Sequence, residues 1–225
     1  MVMKISTDER FVSSLQHLAQ KFNGKIYQRS GRYILNLKTT PNDFRLYDSI
    51  VTQIVTTMKS YYLTNNLKIK NKTLVKVLIN YDKKSDTIIA GSLFNLTPEI
   101  LLDSIYDFSL SRLKCRWDEV VQLVNDNYPQ LTQKVIFNEL LRFLIVNMDC
   151  RIPEAHVMVI DHQTKICDQK LQPLPQVEED IINALIDVAP RQIYIHADTD
   201  LTQDIVDRIE TLFPNCVCIE YNAVL

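Results

Sequence analysis

The sequence predicts an α+β fold with an amino-terminal α-β-β unit, a helical middle and a carboxyl-terminal ββαβαβ unit with a small mixed sheet. Three patterns support this prediction: a long helical stripe over 44–61, an alternating hairpin-like segment over 25–38, and short apolar runs between helical patterns after residue 151. The predicted divisions are 1–41, 42–150 and 151–225. We expect these parts to pack together, because no flexible linker separates them.

The amino-terminal unit begins with an amphipathic helix. Its apolar positions recur at helical spacing and end at the stop signal Asn23-Gly24; they are Phe11, Leu15, Leu18 and Phe22. Two strand-like runs follow at 25–28 and 32–38, joined by Arg29-Ser30-Gly31, which has the length and composition of a hairpin turn.

The middle of the chain is predicted to be helical. Its clearest stripe is Phe44, Tyr47, Val51, Ile54, Met58 and Tyr61. A dimer seam is the alternative to a core helix, but two heptads fall short of a coiled-coil pattern. Residues 68–86 fit helix or strand, and we favour helix. Thr97-Pro98-Glu99 predicts a helix start, and further helices are expected at 117–125 and 132–147.

The carboxyl-terminal part changes character. Strand patterns at 155–160 and 165–171 flank a turn, and a helix at 177–188, a strand at 192–196, a helix at 201–212 and a strand at 216–221 follow. The last strand, helix and strand have the length of a parallel crossover rather than a hairpin.

Composition excludes several functional classes. Only three glycines occur, Gly24, Gly31 and Gly91, and no two lie close enough for a P-loop or a dinucleotide-binding fingerprint. No apolar run is long enough to cross a bilayer, and the first residues do not resemble a signal peptide. Five scattered cysteines predict reduced thiols and a cytoplasmic location.

The charge is unevenly distributed. Residues 1–150 contain 20 basic and 14 acidic residues, whereas residues 151–225 contain 5 basic and 13 acidic residues. Such asymmetry predicts either an anionic partner for the first part or contact between the two parts.

A family resemblance is found in the carboxyl-terminal half. It is carried by an apolar helix running into RIPEAHVMV from Arg151, by ALIDVAPRQIYIH ending at His196, and by the helix DIVDRIETLF. This combination, over roughly 97–220, resembles the YtxC-like family of sporulation proteins. The resemblance implies a soluble protein of spore-forming Firmicutes without an established biochemical activity, and it implies no catalytic residues. The amino-terminal unit lies outside it.

The best-placed polar cluster is His196, Asp198 and Asp200. It directly follows a predicted parallel strand, at the edge where α/β sheets usually bind ligands. These side chains are candidates for a divalent metal or for acid–base chemistry if His156 or Glu220 completes the set. The competing interpretation, which we favour, is a cap for the next helix.

Cysteine and serine chemistry has weaker support. Cys216 and Cys218 share one face of a predicted strand, but two thiols do not complete a tetrahedral metal site, and buried free cysteines are common. No nucleophile elbow accompanies the four scattered histidines.

A basic segment spans 68–84. It contains one acidic residue, Asp82, and six lysines: Lys68, Lys70, Lys72, Lys76, Lys83 and Lys84. Lysines near Tyr61, Tyr62 and Tyr81 could neutralise phosphates and stack bases. A solvated face, or a docking surface for the acidic carboxyl-terminal part, is the interpretation we favour.

Together these patterns predict a non-enzymatic protein-interaction factor linked to bacterial sporulation, with an unidentified protein partner and no cofactor. One alternative is a nucleic-acid-associated protein using 68–84. Another is a metal-dependent enzyme centred on His196.

Overall fold

The fold is that of a computed structural model, which describes residues 2–38, 44–94, 99–160, 162–175, 180–196, 203–214 and 216–220. It is a mixed helix-and-strand architecture with two small sheets, which confirms the predicted α+β class. The chain divides into two compact units. Unit 1 contains Met1–Lys68 and Lys83–Asp126, and unit 2 contains Ile69–Asp82 and Asn127–Leu225. The predicted division into three parts stays a prediction, and its middle part, 42–150, contributes to both units.

Unit 1 is built on a four-stranded sheet in the order β2-β3-β1-β4. The strands are β1 (Val2–Thr7), β2 (Lys25–Arg29), β3 (Arg32–Lys38) and β4 (Glu99–Leu101). Strand β1 is antiparallel to β3 and parallel to β4. Helix α1 (Val12–Phe22) follows a short 3-10 turn at Glu9–Phe11.

The predicted amino-terminal helix and hairpin are confirmed. Helix α1 ends at Phe22, and Asn23 caps it in a left-handed conformation. The β2–β3 hairpin turns through Ser30 and Gly31, both with positive φ angles, 51° and 76°, as a tight two-residue hairpin requires. Strand β1 was not predicted. Because β1 precedes α1, the unit begins with the order β-α-β-β instead of the predicted α-β-β.

The helices of unit 1 are α2 (Phe44–Asn66), α4 (Lys83–Leu93), the short α5 (Leu102–Ser104) and α6 (Ser111–Asp126), with α3 (Lys72–Asn80) belonging to unit 2. The predicted stripe of α2 faces the interior: Val51, Ile54 and Met58 are all buried. A π-helical turn at Ile105–Ser109 connects α5 to α6. The helix predicted within 68–86 is confirmed by α3 and the start of α4.

The prediction that a helix starts at Thr97-Pro98-Glu99 is wrong for the residues that the structure describes. Thr97 and Pro98 lie outside the described residues, and Glu99–Leu101 forms β4 instead of a helical turn. Ile100 is buried opposite Ile5 of β1. Pairing with a distant strand therefore overrides the local helix signal, and helix begins only at Leu102.

Unit 2 contains the second sheet, in the order β6-β5-β7-β8. Its strands are β5 (Ile152–Ile160), β6 (Gln163–Cys167), β7 (Pro190–His196) and β8 (Val217–Glu220). Strand β6 is antiparallel to β5, whereas β5, β7 and β8 run parallel. Its helices are α3, α7 (Tyr128–Leu131), α8 (Lys134–Val146), α9 (Ile181–Val188) and α10 (Gln203–Leu212). The predicted ββαβαβ order, mixed sheet and parallel last strands are confirmed.

The two faces of this sheet differ in polarity. Side chains that alternate along the strands form a fully buried apolar set: Ala155, Val157, Ile166, Ile193 and Ile195. The intervening positions place polar side chains on the opposite face, which we call the histidine face: Glu154 and His156 of β5, and Gln192, Tyr194 and His196 of β7. The parallel register of β5 and β7 therefore brings these polar side chains together on one face of the sheet.

Within the described part of the chain, no helix has both the length and the apolar character needed to cross a membrane.

Candidate functional site on the carboxyl-terminal sheet

Two histidines meet on the histidine face. His156 lies within β5, His196 ends the neighbouring parallel strand β7, and the register sets His156 opposite Tyr194. Nδ1 of His156 is 3.0 Å from Nε2 of His196, which is hydrogen-bond distance. One imidazole must therefore donate an N–H group while the other accepts.

The two rings meet head-on rather than face to face. Their planes differ by 27° and their centroids are 5.2 Å apart. The 3.0 Å between the two nitrogens and the radii of the two rings account for nearly all of that distance. The nitrogen lone pair and the N–H group of the pair thus point along the same line.

Neighbouring side chains hold His156 in place. The ring of Tyr194 stacks on it, with centroids 5.0 Å apart and planes 15° apart. Oε2 of Glu154 lies 3.9 Å from Nε2 of His156, close enough to stabilise a charged imidazole but too far for a hydrogen bond. The Tyr194 hydroxyl donates to Oε1 of Gln192 at 3.2 Å.

The pair is shielded from solvent. His196 is 5% exposed, and the side chain of His156 is 12% exposed. Electrostatic interactions are stronger in such a setting than in water. A bound cation, or a proton shared by the two rings, would therefore interact strongly with these groups.

A cysteine nucleophile has no support at this site. Cys167 lies opposite His156 in the β5–β6 ladder, but its side chain is fully buried. Burial raises the pKa of the Cys167 thiol, and the charge of Asp168 raises it further. An activated cysteine needs the opposite change, a lowered pKa with access to substrate.

The structure brings some of the predicted site residues together, and others lie outside the described residues. His196 is at the strand end as predicted, and His156, expected only as a completing ligand, is its direct neighbour. Asp198 and Asp200 lie outside the described residues. Glu220 occupies the position opposite His196 in the β7–β8 register. Among the described residues, no group of three or more His, Cys, Asp and Glu side chains is arranged to hold a metal ion.

The two cysteines at the end of the chain have different environments. Strand β8 begins at Val217, so Cys216 precedes it, whereas Cys218 lies within it opposite Tyr194. Cys216 is partly buried and Cys218 is exposed.

The six lysines of the basic segment are divided between the two units. Lys68, Lys83 and Lys84 belong to unit 1, and Lys70, Lys72 and Lys76 belong to unit 2. Within unit 2, Nζ of Lys76 lies 2.6 Å from Oδ2 of Asp187, at the end of α9. At least one of these lysines thus pairs with the acidic carboxyl-terminal part.

Sequence reasoning missed a buried ion pair in unit 1. Nζ of Lys59 in α2 is 2.7 Å from Oδ2 of Asp86 in α4, and both side chains are buried. Nε1 of Trp117 donates to the same oxygen at 3.1 Å. The available signal was that Lys59 directly follows Met58, a member of the apolar stripe of α2.

Comparisons with known proteins identify no relative: no family model, curated protein or solved structure matches the chain. The YtxC-like resemblance therefore stays a prediction.

Proposed function

We propose that unit 2 binds a first-row divalent metal ion, with Nδ1 of His156 and Nε2 of His196 as two of its ligands. The single observation that supports this proposal is the 3.0 Å approach of these nitrogens between parallel strands. Imidazole nitrogens bind zinc at about 2.0–2.1 Å, so two of them in a tetrahedral site are about 3.3 Å apart. To become two ligands of one ion, the nitrogens of this head-on pair would have to move apart by about 0.3 Å, and both rings would have to turn so that their lone pairs converge on the metal.

Metal binding would replace the hydrogen bond between the rings. The metal needs a lone pair from each nitrogen, so the proton that His156 and His196 share must leave this contact. Protons compete with metal ions for imidazole nitrogens. The proposal therefore includes weaker metal binding as the pH falls.

Carboxylates are the natural source of the remaining ligands. Asp198 and Asp200 follow His196 closely in the sequence, and Glu220 is its register neighbour in β8. Two imidazoles with carboxylate oxygens form a donor set that suits zinc and similar ions. We propose these three residues as the group from which further ligands come.

Such a site suits the predicted interaction factor linked to sporulation, because a metal can order a protein surface without performing chemistry. We retain the non-enzymatic role and the cytoplasmic location as predictions of the sequence. The nucleic-acid alternative also stays a prediction, and no contact described above favours it over metal binding.

The test is titration of the purified, chelator-treated protein with Co²⁺, followed by its visible absorption and by competition with a chelator of known affinity. We expect one tightly bound ion per chain. His156→Gln and His196→Gln should each weaken Co²⁺ binding by at least about tenfold. Glu220→Gln and Asp198→Asn then show which carboxylate completes the site.

The matched control is His162→Gln, because His162 lies on the exposed turn between β5 and β6. It should bind Co²⁺ as the original protein does. Thermal melting in chelator shows whether each variant is folded. Unchanged Co²⁺ affinity in both folded variants, His156→Gln and His196→Gln, would refute the proposal, and so would an equal loss in the control.

A further inference from the structure

Unit 2 contains a cavity of about 170 Å³ whose described lining includes neither His156 nor His196. It lies between the end of α8, the start of β7 and the segment before β8. Its apolar lining includes Ile145, Met148, Pro190 and Phe213. Phe213 is almost fully buried, so its ring forms part of a fixed wall.

The polar lining of this cavity carries one positive charge. It consists of Arg191, Cys150 and Cys216, and no carboxylate contributes to the described lining. Arg191 and Cys150 are exposed, so they mark the solvent side. In the described part of the chain, no acidic side chain pairs with Arg191. By contrast, the nearby Arg151 is engaged, since it donates to the Asp187 carbonyl at 2.7 Å.

Size and charge together define a ligand class. An apolar cavity of about 150 Å³ is large enough to hold benzene, so this one holds a single aromatic ring. A ring would contact Phe213 and the Met148 thioether, both favourable partners for aromatic groups. An arginine beside such a cavity offers paired N–H donors whose geometry matches a carboxylate.

We propose that this cavity binds a small aromatic monocarboxylate, with the ring between Met148 and Phe213 and the carboxylate on Arg191. The site is separate from the histidine pair and does not depend on metal binding.

The two lining cysteines provide the readout. Bound ligand should shield Cys216, and to a lesser degree Cys150, from alkylation by iodoacetamide, whereas Cys115 and Cys218 lie outside the lining and are exposed. These two serve as controls within the same molecule. Burial raises the pKa of the Cys216 thiol, so alkylation should be followed under mildly alkaline conditions by mass spectrometry of each cysteine.

The probes are benzoate and its neutral analogue benzyl alcohol. Benzoate at about ten times its Kd should slow alkylation of Cys216 about tenfold and leave Cys115 and Cys218 unchanged. Benzyl alcohol should need about tenfold higher concentration for the same protection, because it lacks the charged hydrogen bonds to Arg191. Arg191→Gln should remove that difference.

Arg142→Gln is the matched control, since Arg142 is an exposed arginine of α8 outside the lining. It should keep the preference for benzoate. The proposal is overturned if saturating benzoate leaves Cys216 unprotected, if all four cysteines are slowed alike, or if benzyl alcohol protects as well as benzoate. It is also overturned if folded Arg191→Gln protein keeps the preference.

Discussion

Lys59 and Asp86 lie side by side inside unit 1, where an unpaired charge would be expensive. Their contact is 2.7 Å long, and the Trp117 indole donates to the same carboxylate oxygen. Nε of Arg116 lies 3.9 Å from the other oxygen. Removing one member of a buried pair leaves the other charge uncompensated, which usually destabilises a protein far more than the intact pair stabilises it.

Replacing Asp86 should therefore be costly. We expect Asp86→Ala to lower the free energy of unfolding by about 3–5 kcal/mol, measured by urea unfolding with fluorescence from Trp117, the protein's only tryptophan. The double variant Lys59→Met with Asp86→Leu should recover much of the loss, because neither charge remains. Asp126→Ala, at an exposed position ending α6, is the control and should change stability by less than about 0.5 kcal/mol. A loss for Asp86→Ala as small as the control's would contradict the buried-pair argument.

At the scale of elements, two glycines show how neighbouring structure decides the effect of one methyl group. A Cβ atom on Gly24 would lie 2.5 Å from Cδ1 of Leu35 and 2.6 Å from Cδ2 of Leu37 in β3. Gly91 lies within helix α4, and a Cβ atom there would meet nothing within 4 Å. The first glycine permits close packing of α1 on β3, whereas the second only weakens its helix.

The same substitution should thus have opposite signs. We expect Gly24→Ala to destabilise unit 1 by about 1–3 kcal/mol through overpacking. Gly91→Ala should stabilise it by up to about 1 kcal/mol, because alanine favours helix over glycine. Thermal melting of both variants beside the original protein measures the two shifts, and shifts of the same sign would contradict the packing described for α1 and β3.

Sequence patterns predicted the elements whose signals are local. Helix α2 was predicted from the helical spacing of its apolar residues, and the β2–β3 hairpin was predicted from its turn residues Arg29-Ser30-Gly31. Strand β4 was missed because it is only three residues long and pairs with a strand about one hundred positions away, as in Ile100 with Ile5. Strand β1 was missed although its six residues place buried Met3 and Ile5 at alternate positions, the pattern of a half-buried strand. Only part of the histidine pair was predicted. His196 was expected at the end of a strand, but its contact with His156 depends on the register between β5 and β7, which the sequence does not show. A slip of one residue would move His156 to the opposite face.

At the scale of the whole molecule, the segment Ile69–Asp82 interrupts the chain of unit 1 and belongs to unit 2. It contributes α3 to unit 2, although the residues on both sides of it belong to unit 1. Lys76 of α3 reaches Asp187 of α9, and the Asn80 side chain accepts a hydrogen bond from Arg151. These polar contacts join α3 to the acidic carboxyl-terminal part. Lys76 of the basic segment therefore forms an ion pair within unit 2.

Charge reversal at Lys76 tests whether its ion pair with Asp187 holds α3 against α9. Lys76→Glu would set two carboxylates against each other and favour opening of α3 from α9. We expect amide hydrogen exchange in α3 and α9 to become about fivefold faster, which corresponds to about 1 kcal/mol for a partly exposed pair. Adding Asp187→Lys should restore most of the protection, because it recreates the pair with its charges exchanged.

The control Lys68→Glu changes the same charge at an exposed lysine of unit 1, and it should leave exchange in unit 2 unchanged. It also separates the two hypotheses about the basic segment. If the lysines neutralise nucleic-acid phosphates, both single variants should weaken binding to single-stranded DNA at low salt and reduce its salt dependence. If the segment serves to dock α3, Lys76→Glu should alter exchange in unit 2 while neither variant changes DNA binding. Normal exchange in Lys76→Glu would show that the pair with Asp187 does not hold α3 in place.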